Sequence, residues 1–204
     1  MSDISANQNT EREIKQLLTQ DMHDRIVSLT LNRPVYQTNY YFDTVCHDLD
    51  KNGISMRLRH KDASWELTVK IHSEKTDTAI ISKEINIPVS DTQAKEYLEN
   101  INPDVLNKIL AENGCTFRAD TLKYIGSLRT KRVKVPIDEL GVVFELDEST
   151  YLGITDHEVE CELTDMSKAD AVIKWLRDRN MMPAGKMKGK YGRFLSRLKQ
   201  VEEK

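Results

Sequence analysis

The sequence predicts an α+β fold in which eight strands are punctuated by a few helices. Three observations lead there. Eight segments of the 204-residue chain show two-residue alternation or β-branched enrichment. Four stretches between and after them carry helical spacing or capping residues. The polar side of nearly every strand is made of full charges, with few of the Thr, Ser or Gln residues that a half-wet sheet would include.

Taken in order, residues 10–15 form the first strand, with Glu11, Glu13 and Lys15 pointing together. A helix is expected over 16–29, with Leu17, Leu18, Met22, Ile26 and Leu29 on one side. Strands follow at 38–43, 54–60 and 64–72. In the second of these Arg57 and Arg59 oppose Met56 and Leu58; in the third Glu66, Thr68 and Lys70 oppose Trp65, Leu67, Val69 and Ile71. A strand at 79–87 sets Glu84 against Ile85 and Ile87. Asn102 and Pro103 then open a helix that Gly114 closes. In the strand at 122–136 Arg132 and Lys134 oppose Val133 and Val135, and in that at 141–148 Glu145 and Asp147 oppose Phe144 and Leu146. The strand at 156–163 sets Glu158, Glu160 and Glu162 against Val159, Cys161 and Leu163. Ser167 and Asp170 resemble a capping box before a helix at 171–179, and a short basic helix covers 191–200.

Composition narrows the function classes. Thirty Lys and Arg against 33 Asp and Glu give a formal charge of −3, which argues against a nucleic-acid binder. No long apolar run suits a membrane span, and the polar start MSDISANQNT lacks the pattern of a signal peptide. Cys46, Cys115 and Cys161 are far apart and form no CxxC pair, which points to reduced thiols in a cytoplasmic protein without a disulfide framework or structural zinc. The histidines show no HxxxH spacing, and there is no P-loop and no GxSxG.

Two architectures satisfy the alternation. One is an antiparallel sheet, wet on one side and packed on the other. The other is a sheet curled so that the charged faces line a hydrated tunnel and helices cover the apolar faces. An eight-stranded barrel has room for its side chains and one small ligand. Mixed carboxylate and cationic rings suit a polyanion bound with divalent cations. Alternation alone does not choose between them.

The motifs do. Glu11-Arg12-Glu13-Ile14-Lys15 is an ExExK pattern. It is followed in order by Tyr40-Tyr41-Phe42-Asp43-Thr44, Met56-Arg57-Leu58-Arg59 and Trp65-Glu66-Leu67-Thr68-Val69-Lys70. Arg132, Asp147, the Glu158/Glu160 pair, and Lys188-Gly189-Lys190 with Arg193 complete the series. In these residues, spanning about 11 to 194, the chain resembles the CYTH superfamily, the triphosphate tunnel metalloenzymes, and within it the small CYTH-like proteins of low-GC Gram-positive bacteria. The superfamily includes class IV adenylyl cyclases, thiamine triphosphatases, inorganic tripolyphosphatases and fungal RNA 5′-triphosphatases, and the motifs do not select one substrate among them.

The resemblance implies an eight-stranded antiparallel β-barrel tunnel with helices packed outside. It implies one domain over residues 10–204 behind a flexible tail of residues 1–9. A triphosphate-containing small molecule would be held at the centre with Mg²⁺ or Mn²⁺, with no nucleic acid or membrane as partner. Glu11, Glu13, Glu158 and Glu160 are the implied metal ligands, since Mg²⁺ keeps several waters and needs few carboxylates. Asp147 would hold a second metal or orient a basic side chain, and Glu66 and Glu84 share those alternatives. Arg57, Arg59, Lys70 and Arg132 form the implied phosphate clamp, joined by Lys15 and Lys190; Arg offers a two-pronged fork and Lys a compact charge. Lys188 and Arg193 would add to the clamp from the mouth or the covering helix, or else belong to a basic surface segment. Lys134 faces solvent or pairs with a carboxylate. Tyr41, Phe42 and Trp65 are core or wall aromatics.

The implied reaction is metal-assisted phosphoanhydride hydrolysis by water, with Glu11, Glu13, Lys15, Glu158 and Glu160 as the catalytic set. A class IV-type adenylyl cyclase, a non-catalytic polyphosphate or nucleotide sensor, and a β-rich scaffold are the alternatives. Nothing in the sequence reads a base, so a short linear triphosphate is the expected first substrate.

Overall fold

The computed structural model describes residues 7–75, 80–182 and 188–203, and the side chains of all of these except 7–12, 73–75 and 80–82. Among the described residues the chain begins with β1 (Asn7–Leu18), α1 (Gln20–Val27), β2 (Val35–Asp43), α2 (Asp48–Lys51), β3 (Ile54–Lys61), β4 (Ser64–Lys75) and β5 (Ile80–Val89). It continues through α3 (Asp91–Asn100), α4 (Pro103–Glu112), β6 (Lys123–Ile137), β7 (Val142–Tyr151), β8 (Ile154–Glu162), α5 (Ala169–Asp178) and α6 (Lys190–Glu202). The strands neighbour one another in the order β1-β5-β4-β3-β2-β6-β7-β8, and β1 pairs antiparallel with β8. No helix among the described residues is long and apolar enough to cross a membrane.

The chain divides into two units, the first built mainly of residues 38–73 and 82–127, the second of 11–37 and 128–204. In the first, the two-residue period sends Met56, Leu58, Leu67, Val69 and Ile85 to one side, where they pack with Ala94 of α3 and Leu106, Ile109 and Leu110 of α4. Phe42 lies in this core and Tyr41 is also buried. Ser90 fixes the start of α3: its hydroxyl accepts from the Gln93 N–H at 3.2 Å while Gln93 Oε1 accepts from the Ser90 N–H at 3.0 Å. This helix has no counterpart in the sequence expectation, although the Ser90/Gln93 pair is its signature. Asn102 caps α4 as expected, accepting from the Asp104 N–H at 2.9 Å with Pro103 in the first turn. Asp43, in the YFD strand motif, serves the backbone: its Oδ1 accepts from the N–H groups of Thr44 at 2.7 Å and Leu49 at 2.9 Å, bending the chain into α2.

In the second unit Ile14, Leu18, Val133, Val135, Phe144, Leu146, Val159 and Cys161 form the apolar face, covered by Ile26 of α1 and by Val172, Trp175 and Leu176 of α5. The Phe144 and Trp175 rings meet edge to face at 5.3 Å. Two expectations change here. The helix foreseen from residue 16 begins only at Gln20, because β1 stays paired with β8 through Leu18 and Thr19 then caps the helix, accepting from the Met22 N–H at 3.2 Å. Leu29 is correspondingly exposed beyond the helix. The Ser167/Asp170 capping box gives way to a 3₁₀ turn at Met166–Lys168, capped by Asp165, which accepts from the Ser167 N–H at 2.9 Å. Unlike α1 and α5, α6 sits over the charged side of β7, with Phe194 against Tyr151 at 6.1 Å.

Candidate active site

Pairing in the second unit sets cations against carboxylates on either side of a row of facing carboxylates. β6 meets β7 with Arg132 opposite Asp147, β7 meets β8 with Asp147 opposite Glu158 and Glu145 opposite Glu160, and β1 meets β8 with Lys15 opposite Glu160. All these residues lie on the faces turned away from the apolar core. Arg132 grips Asp147 with its fork, Nε to Oδ1 at 2.6 Å and Nη2 to Oδ2 at 2.5 Å. The same Nη2 donates to Glu160 Oε2 at 2.7 Å, and Nη1 donates to Glu145. Lys15 lies 2.5 Å from Glu13 and 3.6 Å from Glu160. From α6, the Lys190 ammonium reaches Asp147 at 2.7 Å, Glu160 at 3.0 Å and also Glu158. Arg193 donates to Glu158 at 2.5 Å and to Asp156 at 2.7 Å, and the Tyr151 hydroxyl donates to the same Asp156.

Asp147 and Glu158 are almost wholly buried, at 0% and 1% exposure. Burial opposes every charge here, and the pairing decides the outcome. For Lys190, burial is outweighed by Glu158, Glu160 and Asp147, which hold its pKa far above the ordinary lysine range. Arg132 is raised likewise, against its own burial, by Asp147, Glu160 and Glu145. Burial would raise Glu160, but Lys190, Lys15 and Arg132 bring it well below the usual carboxylate range. Glu158 goes the other way: burial and the neighbouring Glu160 charge lift it against Lys190 and Arg193. The two neighbouring carboxylates are thus pushed in opposite directions.

One oxygen each from Asp147, Glu158 and Glu160 lie within 4.8 Å of one another. Three hard oxygen donors at that spacing fit a divalent cation such as Mg²⁺ or Mn²⁺ that retains waters. Of the residues singled out from the sequence, Glu13, Lys15, Arg132, Asp147, Glu158, Glu160 and Lys190 come together in this unit. The Glu11 side chain lies outside the described residues. Glu13 stands apart from the three-carboxylate group, linked to it through Lys15. Arg193 joins the cluster, whereas Lys188 is exposed and donates to Ser196 at 2.8 Å. Lys134 is 60% exposed and pairs with Glu145 at 3.0 Å. Sequence reasoning passed over Asp156 and Tyr151; their signal was parity, Asp156 with Glu158 and Tyr151 with Asp147.

The first unit gathers Arg57, Arg59 and Lys70 on its own non-core face. Glu84, 4% exposed, stands between two of them, 3.5 Å from Arg57 Nη2 and 3.6 Å from Lys70 Nζ. Burial would raise its pKa; Arg57 and Lys70, with the Asn86 amide, bring it below the usual range. Asn86 Nδ2 donates to Glu84 Oε1 at 3.1 Å, and the Thr68 hydroxyl donates to Asn86 Oδ1 at 2.9 Å. Arg59 Nε donates to Asn39 Oδ1 at 3.2 Å, and its Nη1 lies 3.9 Å from Glu66. Asn39 and Asn86, being uncharged, escaped a reading based on charge.

Eight antiparallel strands, with a carboxylate trio among cations in one unit and a basic group in the other, fit the triphosphate-tunnel class of proteins. Residues 9–194 match the family model of the CYTH domain, and the chain belongs to that family. It is 29% identical over 192 residues to "Putative triphosphatase YjbK" of Bacillus subtilis (strain 168), covering 92% of this chain and 95% of that one. Among solved structures, a "putative adenylate cyclase" of Bacillus halodurans matches at a TM-score of 0.75 and 27% identity, over 92% of this chain and 98% of the other. HpAC1 from Hippeastrum, a "putative adenylyl cyclase" reported to show a dominant triphosphatase activity, matches at 0.74 and 22% identity, over 91% and 95%. That last likeness speaks to the fold.

Proposed function

We propose that this protein is a metal-dependent triphosphatase that hydrolyses a phosphoanhydride bond of inorganic tripolyphosphate or a small organic triphosphate. The observation that carries the reading is the trio Asp147, Glu158 and Glu160, whose oxygens lie within 4.8 Å of one another beside Arg132, Lys15 and Lys190. Membership of the CYTH family and the likeness to YjbK support it.

The trio would hold Mg²⁺ or Mn²⁺, with Glu13 and Glu11 extending the carboxylate set. When bound, such an ion polarises phosphoryl oxygens and makes its water more acidic. The chain's own residues do the rest. Arg57 and Arg59 present guanidinium forks and Lys70 a point charge to non-bridging phosphate oxygens, while Lys15, Arg132 and Lys190 supply cations beside the carboxylates. Glu158, buried and held by Lys190 and Arg193, offers its oxygen to the cation from a fixed position. Glu160, held ionised by Lys190, Lys15 and Arg132, keeps its negative charge for the cation. Water attacks phosphorus in line with the departing phosphate oxygen, so no side-chain nucleophile is needed.

The likeness to the Bacillus halodurans protein favours adenylyl cyclase chemistry as the second reading. Products separate the two. Incubation with tripolyphosphate, thiamine triphosphate, ATP, GTP and longer polyphosphate, each with Mg²⁺ or Mn²⁺ and again with EDTA, is expected to release phosphate fastest from tripolyphosphate and only with metal. Cyclic AMP and pyrophosphate from ATP would replace the triphosphatase reading with the cyclase. Absence of product from every compound would overturn both.

A further inference from the structure

Lys190 reaches all three carboxylates of the trio at once. Its ammonium lies 2.7 Å from Asp147 Oδ2, 3.0 Å from Glu160 Oε1 and in contact with Glu158 Oε1. Among the described residues no other cation touches all three. The arginines hold the opposite oxygens of the two glutamates: Arg132 Nη2 donates to Glu160 Oε2 at 2.7 Å, and Arg193 Nη2 to Glu158 Oε2 at 2.5 Å. Arg132 and Lys190 share an atom at Asp147 Oδ2, and Lys15 stands farther off, 3.6 Å from Glu160 Oε1. One oxygen of each carboxylate thus converges on the Lys190 ammonium.

A divalent ion drawn to the same oxygens, at about 2.1 Å for Mg²⁺, cannot share them with an ammonium that it repels at such close range. Lys190 is the cation that can yield. Asp147 keeps the Arg132 fork, Glu160 keeps Arg132 and Lys15, and Glu158 keeps Arg193, so its departure strands no buried carboxylate. Its charge rides on a flexible four-carbon stem at the first residue of α6. The helix itself is held by buried Phe194 and Leu195 and by the Arg193 contact with Asp156, so the ammonium can swing while the helix stays.

We propose that Lys190 is a built-in competitor of the metal: its ammonium occupies the trio, and Mg²⁺ or Mn²⁺ must displace it to bind. The inference rests on the reading of the trio as a cation site. Displacement turns a lysine committed to protein carboxylates toward an anion instead, which ties any phosphate contact of Lys190 to the arrival of the metal.

The test acetylates the amines of the full native chain with acetic anhydride, in EDTA and in saturating Mn²⁺, and reads Lys190 by peptide mass spectrometry against the exposed Lys199 of the same helix. In EDTA Lys190 is expected to be spared, because the carboxylates hold its pKa far above the ordinary lysine range and only the neutral amine reacts. If Lys190 holds the trio about nine-tenths of the time, Mn²⁺ raises its labelling about 10-fold relative to Lys199, and calorimetric titration finds Mn²⁺ bound about 10-fold more tightly by Lys190→Met than by the native protein. The labelling arm needs no variant, so it stands even if Lys190→Met does not fold. Mn²⁺ binding by the native chain with Lys190 labelling unchanged would overturn the displacement and leave the cation site standing, whatever the variant's affinity, since loss of a positive charge alone also favours a cation. No Mn²⁺ binding by either chain would overturn the cation reading and the proposal with it.

Discussion

The charged face of the second unit and that of the first are built by the same two-residue alternation, yet their ions are committed to different degrees. Around Asp147, Glu158 and Glu160 many contacts fall at 2.5–2.7 Å and involve both oxygens of a carboxylate. Around Glu84 and Glu66 they stand at 3.5–3.9 Å. Register alone does not make the difference, since Arg132 lies directly opposite Asp147 and Arg59 directly opposite Glu66. What the second unit adds is α6, which carries Lys190 and Arg193 onto its carboxylates. Tight, desolvated pairs are structural as well as chemical. The acid-rich face is the one suited to a cation, the base-rich face to an anion.

Substitution should separate the two faces most sharply through stability. Arg132→Met removes the two-pronged partner of the buried Asp147, leaving it Lys190 alone, and is expected to lose about 3 kcal/mol in urea unfolding, the scale of removing one partner of a buried pair. Lys70→Met leaves the buried Glu84 with Arg57 and the Asn86 amide as partners and is expected to lose less than Arg132→Met. Equal losses would break the comparison.

Acid sharpens it next. Glu84 has a lowered folded pKa, so its contribution to stability is present above the unfolded glutamate value of about 4.3 and is lost as pH falls through the folded value. Urea midpoints of native protein and Glu84→Gln should therefore differ most at neutral pH and converge below about pH 4; a gap that widens in acid would refute the assignment. Helix caps give a smaller contrast. Ser90→Ala breaks a reciprocal box and is expected to lose about 1 kcal/mol, Thr19→Ala, which removes a single exposed bond, about half that. Smallest is a difference in thiol reactivity. Burial and the Glu145 charge push Cys161 up to about 11, so a thiol reagent at pH 8 should modify the exposed Cys46 and spare Cys161 until the protein unfolds.

The faces themselves were legible in the sequence because parity is a local property: placing Glu158 and Glu160 on one side of a strand needs no knowledge of its neighbour. What partners they take is not local. Nothing in the spacing of residues 191–200 says that the helix beginning at Lys190 delivers that lysine and Arg193 to Asp147, Glu158 and Glu160. Leu17 and Leu18 fit a helical stripe as well as a strand, and only pairing with β8 decides for the strand. α3 escaped because Asp91–Asn100 buries little more than Ala94, leaving its capping box as the only clear mark. Asn86 and Asn39 carry no charge, and their roles emerge only when β2, β3, β4 and β5 bring Arg59, Thr68 and Glu84 beside them.

Paired titrations on two single variants probe the division of labour most directly: Mn²⁺ alone, and tripolyphosphate alone in EDTA, each against Glu160→Gln and Lys70→Met. The account predicts a crossed result, with Glu160→Gln losing Mn²⁺ while retaining tripolyphosphate, and Lys70→Met doing the reverse. If one substitution abolishes both ligands, or neither substitution affects either, the assignment of cation and anion to separate faces is wrong.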